Sequence, residues 1–243
     1  MKYIFDHLKP TLSWLEQNRP SYNPFLVPDF FSQNVASKKS VLACADETLP
    51  ILKDILGNKI HDTYEKVKLT GKICYPMKHS SYVTDETEKT TIYLQGNPKF
   101  YEPVIHLSHE LGHMLVDDTF EENALESIGE QIYKAMGFAT EISARTAEFL
   151  TRRYFNRLGF KDNDHNQGYV KELDFERTNR FNHPLGTVIG IALADLVEAR
   201  KIKFEDTLTL RHENLVDQLQ DFGATSKVIH KSVKNYVDHL RSV

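Results

Sequence analysis

Disulfides are the first thing this chain lacks. Cys44 and Cys74 are its only cysteines and they form no CxxC pair, so no disulfide framework holds it together and a reducing compartment is expected. Long apolar runs are missing too. Charge interrupts the N-terminal segment Met1-Lys2-Tyr3-Ile4-Phe5-Asp6-His7, and neither a signal peptide nor a span of ~20 apolar residues is visible. The expectation is a cytoplasmic protein, or one exported without a cleaved signal peptide, including a secreted effector delivered into another cell, and no membrane partner. An excess of one charge is also absent. With 30 basic and 34 acidic residues the formal net charge is −4, so no global basic field attracts nucleic acid. The local cluster Thr151-Arg152-Arg153 with Arg157 reads as a solvated face, with an acidic substrate as its alternative partner. Repeats, low-complexity tracts and linkers do not interrupt the chain. At 243 residues and 40% hydrophobic, it is long enough for one domain with a substantial core. Nothing in the sequence sets an oligomeric state.

What is present is concentrated at His109-Glu110-Leu111-Gly112-His113, an HExxH box. Residues four apart on a helix lie one above the other, so both imidazoles leave one face about 6 Å apart. Two ligands of a tetrahedral Zn²⁺ need that pairing. Glu110 falls beside the metal and is placed to take a proton from the attacking water. The surroundings read as a helix. Thr90 to Gln95 is β-branched and aromatic enough for a strand, and Gly96-Asn97-Pro98 stops it. Val104, Leu107, Leu111 and Leu115, with Ile105 and Met114, then recur at three- and four-residue spacing over about 102–117. Gly112 costs roughly 1 kcal/mol of helix propensity relative to alanine, which points to close approach by another backbone or a substrate.

A catalytic zinc needs a third protein ligand and one open position. The helical stretch 138–150 offers Glu141 and Glu148, seven apart on one face with Ala144 between them. Small residues there let this helix lie against the HExxH helix, so Glu141 is assigned as third ligand. Its alternative is an i+4 ion pair with Arg145. Glu148 and Asp117, the latter four residues after His113, compete to accept the second N–H of a ligand histidine.

Box and downstream glutamate together resemble the gluzincin metallopeptidases. Glu141-Ile142-Ser143-Ala144-Arg145-Thr146-Ala147-Glu148 resembles the zinc-ligand helix of the oligoendopeptidase and thimet-type enzymes. Leu185 to Ala194 is similar to the small-residue helix that closes their active site. The resemblance covers roughly residues 90–200. It implies a mostly helical zincin-like core, a small sheet whose edge strand holds an extended peptide, and Zn²⁺ as cofactor. Those enzymes carry oxyanion-binding tyrosines near the closing helix, where this chain has Leu185 and Thr187. His183 and Tyr169 are the available donors to a developing oxyanion. The chain is also much shorter than full-length members, so their large helical shell is not expected. A second resemblance is to small zinc proteases that cleave bacterial repressors, which keeps the same ligands and makes the substrate one folded partner.

Elsewhere, residues 6–18 read as an amphipathic helix, and 20–31 as an aromatic, proline-punctuated cover. Thr48 to Leu56 reads as a short helix ended by Gly57-Asn58. Strands are expected at 67–75 and 82–84, joined through a hairpin at 85–89 to 90–95. Further helices fall near 122–136, 138–158, 184–201, 211–221 and 225–241. The polar loop 161–168 leaves His165 exposed. The expected fold is α+β, mostly α, with a three- to four-stranded sheet and an HExxH helix. It forms one domain over 1–243: an N-terminal cover (1–60), a catalytic core (61–200) and C-terminal helices (201–243). The expected function is a zinc-dependent endopeptidase acting on a peptide or protein substrate laid along 90–95. Its alternatives are a regulatory or effector protease with one protein partner and a non-catalytic zinc-containing binding protein.

Overall fold

The computed structural model describes residues 2–18, 35–85, 87, 89–117, 130–160, 173 and 182–242. The aromatic stretch at 20–31, the loop at 161–168 and most of the helix expected at 122–136 lie outside them. The chain is α+β and mostly α, with one small mixed sheet.

Helix α1 (Lys2–Asn18) buries Ile4, Leu8, Thr11 and Leu15, spaced by three and four residues. Helix α2 (Lys38–Ile51) starts ten residues before the expected helix, where Ser37 caps it by accepting a hydrogen bond from the Ser40 N–H at 3.1 Å. Helix α3 (Lys53–Thr70) follows almost at once and kinks at Gly57, whose φ of 74° is left-handed. Gly57 therefore bends the chain rather than ending the helix. Leu56, Ile60, Tyr64 and Val67 form the buried stripe of α3, so residues 67–70, expected in a strand, are the last turn of a helix.

The sheet has β1 (Lys72–Met77), β2 (Ser81–Thr84) and β3 (Thr90–Gln95) in the order β1-β3-β2. β3 runs parallel to β1 and antiparallel to β2, with Ile92 opposite both Ile73 and Tyr82. The β2–β3 hairpin falls where the sequence puts it: Asp85 accepts from the Thr87 and Lys89 N–H groups at 2.8 and 3.1 Å. Ile92 and Leu94 are fully buried, turned to helix α4 (Glu102–Asp117), which packs across the sheet.

Three helices make the centre. The apolar residues that predicted α4, from Val104 to Leu115, are all buried. Helix α5 (Glu130–Arg157) runs unbroken through Gly137, where a division between two helices was expected, and every residue from Ala139 to Arg152 is buried. Helix α6 (Asn182–Glu198) lies on the far side of α5 and is buried throughout Pro184–Ala194. A short helix not foreseen in the sequence, α7 (Phe204–Thr207), takes a hydrogen bond from the Ser143 hydroxyl of α5 to the Thr207 carbonyl, 2.7 Å. Helices α8 (Leu215–Asp221) and α9 (Ser226–Ser242) close the chain, with α9 packed on both α6 and α1.

Candidate metal centre

Two helices build the site, and a glycine sets their separation. A Cβ at Gly112 would lie 2.8 Å from the Ala144 Cα and 3.3 Å from its backbone nitrogen. Real side chains do not approach a backbone so closely, so α4 and α5 meet only because one partner has no Cβ and the other has only a methyl. This is the close approach that an expensive glycine within a helix implied. It brings the histidine face of α4 against the acidic face of α5.

There, His109, His113 and Glu141 each turn one ligand atom into the same small volume, all within 4.8 Å of one another. The Nε2 atoms of His109 and His113 are 3.1 Å apart, and Glu141 Oε2 lies 3.3 Å from His113 Nε2. Zinc bonds of about 2.0–2.1 Å at a tetrahedral angle set neighbouring ligand atoms roughly 3.3 Å apart. The donor set and its spacing therefore fit Zn²⁺.

The second nitrogen of His109 has its own carboxylate. Nδ1 lies 3.1 Å from Glu148 Oε2, a hydrogen-bonding separation with the N–H turned off the line. Glu148 thus stands behind His109, and Glu141 beside His113. The sequence offered an i+4 pair with Arg145 as the alternative to a ligand role for Glu141; that pair is present, and the other carboxylate oxygen faces His113. Arg145 Nε donates to Glu141 Oε1 at 2.6 Å, and Arg145 Nη1 donates to Glu148 Oε2 at 2.8 Å. One turn further, Arg152 donates to both oxygens of Glu102 at 3.2 and 3.3 Å and comes within 3.9 Å of Glu148. Arg152 is buried between α4 and α5, not on the solvated face expected of it. Arg153 and Arg157 do sit nearer the surface, paired with Asp195 and Glu198 of α6.

Burial acts on Glu110, His113, His109 and Glu148. It pushes the Glu110 carboxyl up to about 7. It lowers the His113 imidazole, against the opposing pull of Glu141. On His109 burial also works downward and is the largest single effect, yet the Glu148 and Glu141 carboxylates together outweigh it and the net shift is upward. For Glu148 burial works upward, but Arg145 and His109 hold it well below the usual carboxylate range.

The remaining sequence candidates fall outside the described side chains. Tyr169 lies outside the described residues. His183 is the second residue of α6 and Asp117 the last of α4, and the side chains of both lie outside the description. One expectation is overturned: a substrate cannot pair with 90–95, because β3 is the central strand and both its edges are occupied by β1 and β2. Sequence reading also missed the buried charge stripe Glu141, Arg145, Glu148 and Arg152. Its signal was there, as alternating charges at spacings of four, three and four amid Ala, Ser and Thr.

Comparison of the chain with protein-family models, with curated proteins and with solved structures finds no match. No helix among the described residues is long and apolar enough to cross a membrane.

Proposed function

We propose that the chain is a zinc-dependent endopeptidase of gluzincin type, with a zincin-like core and His109, His113 and Glu141 as ligands. One observation carries this reading: two histidines and a glutamate converge at zinc-ligand spacing, with a buried carboxyl beside them that titrates near neutrality. A purely structural zinc site closes with four protein ligands and has no need of such a carboxyl.

Bound zinc supplies Lewis acidity at the scissile carbonyl and makes a nearby water more acidic. Glu110, buried and next to His109 in the chain, is suited to take the proton from that water and to return it. The same carboxyl then delivers the proton to the leaving amine. Glu148 orients His109 from behind and keeps Nε2 turned inward. The substrate strand is reassigned from β3 to the outer edge of β2, whose residues Ser81, Val83 and Thr84 are exposed. An extended peptide adds main-chain hydrogen bonds at such an edge. The edge of β1 is partly taken, because Lys38 Nζ donates to the Ile73 carbonyl at 2.5 Å.

The test combines metal content and turnover. Elemental analysis of protein purified without added metal should give about one zinc per wild-type chain and a sharp drop in His113→Ala and Glu141→Ala. Glu110→Gln should keep its zinc and lose cleavage of a mixed peptide library. Cleavage by Glu110→Gln would sink the mechanism. A folded wild type that takes up no metal would sink the whole reading. Zinc without turnover on generic peptides would shift it to a protease with one protein target or to a binding protein.

A further inference from the structure

Arg145 is the most unexpected residue at this centre, since a guanidinium beside a divalent cation opposes metal binding by Coulomb repulsion. A site shaped only for affinity would not bury one there. The side chain is only 7% exposed, and its Nε and Nη1 go to different carboxylates. Nε holds Glu141 by Oε1, which leaves Oε2 as the oxygen facing His113. Nη1 holds Glu148 by Oε2, the oxygen that also faces His109 Nδ1. Each carboxylate is therefore shared between the guanidinium and one histidine, and a continuous path runs His113, Glu141, Arg145, Glu148, His109.

A second observation shows that the placement is built. Helix α6 presents two glycines one turn apart to these same side chains. A Cβ at Gly186 would lie 2.5 Å from the Glu141 Cγ, and one at Gly190 would lie 2.7 Å from the Arg145 Cβ. The stems of both residues are thus gripped by the α6 backbone, which fixes their rotamers.

We propose that Arg145 is a positioning residue: it presents Glu141 to the metal as a one-oxygen ligand and couples that ligand to the carboxylate behind His109. This inference rests on the metal-centre reading. The chemistry demands arginine. Its rigid planar fork can serve two carboxylates at fixed angles, whereas a lysine ammonium is a point charge on a flexible stem. Without the fork, Glu141 is free to turn both oxygens toward the metal position, and Glu148 loses one of the donors that hold it behind His109.

Arg145→Lys keeps the charge and removes the fork, so it separates geometry from electrostatics. The probe is Co²⁺ in place of zinc, because its visible absorption weakens as coordination rises from four to five. Expected for Arg145→Lys is a weaker, altered cobalt spectrum and roughly tenfold weaker zinc retention against a chelator, the low end of the loss seen when groups behind metal ligands are changed. Arg153→Lys, on the same helix but paired at the surface, should match wild type in both. A wild-type spectrum and wild-type zinc retention in Arg145→Lys would overturn the proposal while leaving the metal centre intact. No cobalt uptake by wild type would overturn the metal-centre reading, and this inference with it. If Arg145→Lys does not fold, Glu148→Gln tests the same bridge from its other end, and an unchanged spectrum there overturns the proposal equally.

Discussion

Glu110 concentrates the conflict between stability and chemistry in one side chain. It is 6% exposed, and burial raises its carboxyl from 4.5 to about 7. Between those values the folded chain holds a proton at Glu110 that the unfolded chain has released. Stability must therefore fall as pH rises across that window, because the unfolded state binds fewer protons. The full shift corresponds to about 3 kcal/mol. Glu110→Gln removes that titration and leaves the other ionisable groups in place. In chelator-treated protein, urea unfolding should show the variant equal to wild type near pH 4 and more stable by up to about 3 kcal/mol at pH 8. The substitution proposed to abolish turnover should thus stabilise the fold, the trade expected of a residue kept for chemistry. Parallel pH profiles for the two proteins would mean that the carboxyl is hydrated and titrates normally.

Among elements, the approach of α4, α5 and α6 decides whether the ligands meet. Gly112→Ala gains up to about 1 kcal/mol of helix propensity. It also drives a methyl into the Ala144 backbone, and overpacking of that kind costs roughly 1–3 kcal/mol. Backbone cannot step aside as a side-chain tip can, so the clash wins. The expected result is net destabilisation of about 1 kcal/mol with weakened zinc retention. Gly186→Ala presses on the Glu141 side chain instead, so it should weaken zinc retention more than it lowers the unfolding midpoint. If both variants bind zinc as wild type does, the helix spacing does not govern the ligands. These elements were unequally legible in the sequence. Helix α4 was read with the ends it has, because strand, turn signal and a long apolar stripe agree. The last turn of α3 was read as strand because Val67 and Thr70 are β-branched; their helical state comes from the stripe running back to Leu56. Most of α2 was missed although its buried face, Val41, Cys44, Ala45, Thr48 and Leu49, recurs at three- and four-residue spacing, because alanine, cysteine and threonine make that stripe only weakly apolar. Glu141 stood out by its seven-residue spacing from Glu148, whereas Arg145 read only as an i+4 partner and Arg152 as part of a solvated face, because a single charge carries no sign of its own burial and only the full 141, 145, 148, 152 spacing does. The central position of β3 was also hidden, because its parallel pairing with β1 skips over β2.

Across the whole molecule, the first and last helices meet and lead back to the candidate metal centre. The His7 Nε2 lies 3.2 Å from the Ala224 carbonyl, and Arg241 donates to the Asn18 carbonyl. Trp14 of α1, the sole tryptophan, stands edge-on to His230 of α9 with ring centroids 5.8 Å apart. Helix α9 inserts Ile229, Val233 and Val237, all fully buried, and packs on α6. Helix α6 in turn grips Glu141 and Arg145 through Gly186 and Gly190. Tryptophan fluorescence therefore reports on the terminal junction, while far-UV circular dichroism reports on the helices as a whole. A ligand that binds only the folded state, present at a hundred times its Kd, stabilises it by about 2.7 kcal/mol. In a chain of this size that raises the melting midpoint by roughly 5–10 °C. Because α6 joins junction and site, zinc should raise the Trp14 fluorescence midpoint and the circular dichroism midpoint equally, and His113→Ala should abolish both shifts. A circular dichroism shift with the fluorescence midpoint unmoved would make the α1–α9 junction a separate cooperative unit, and the path through α6 would then carry no coupling to the metal.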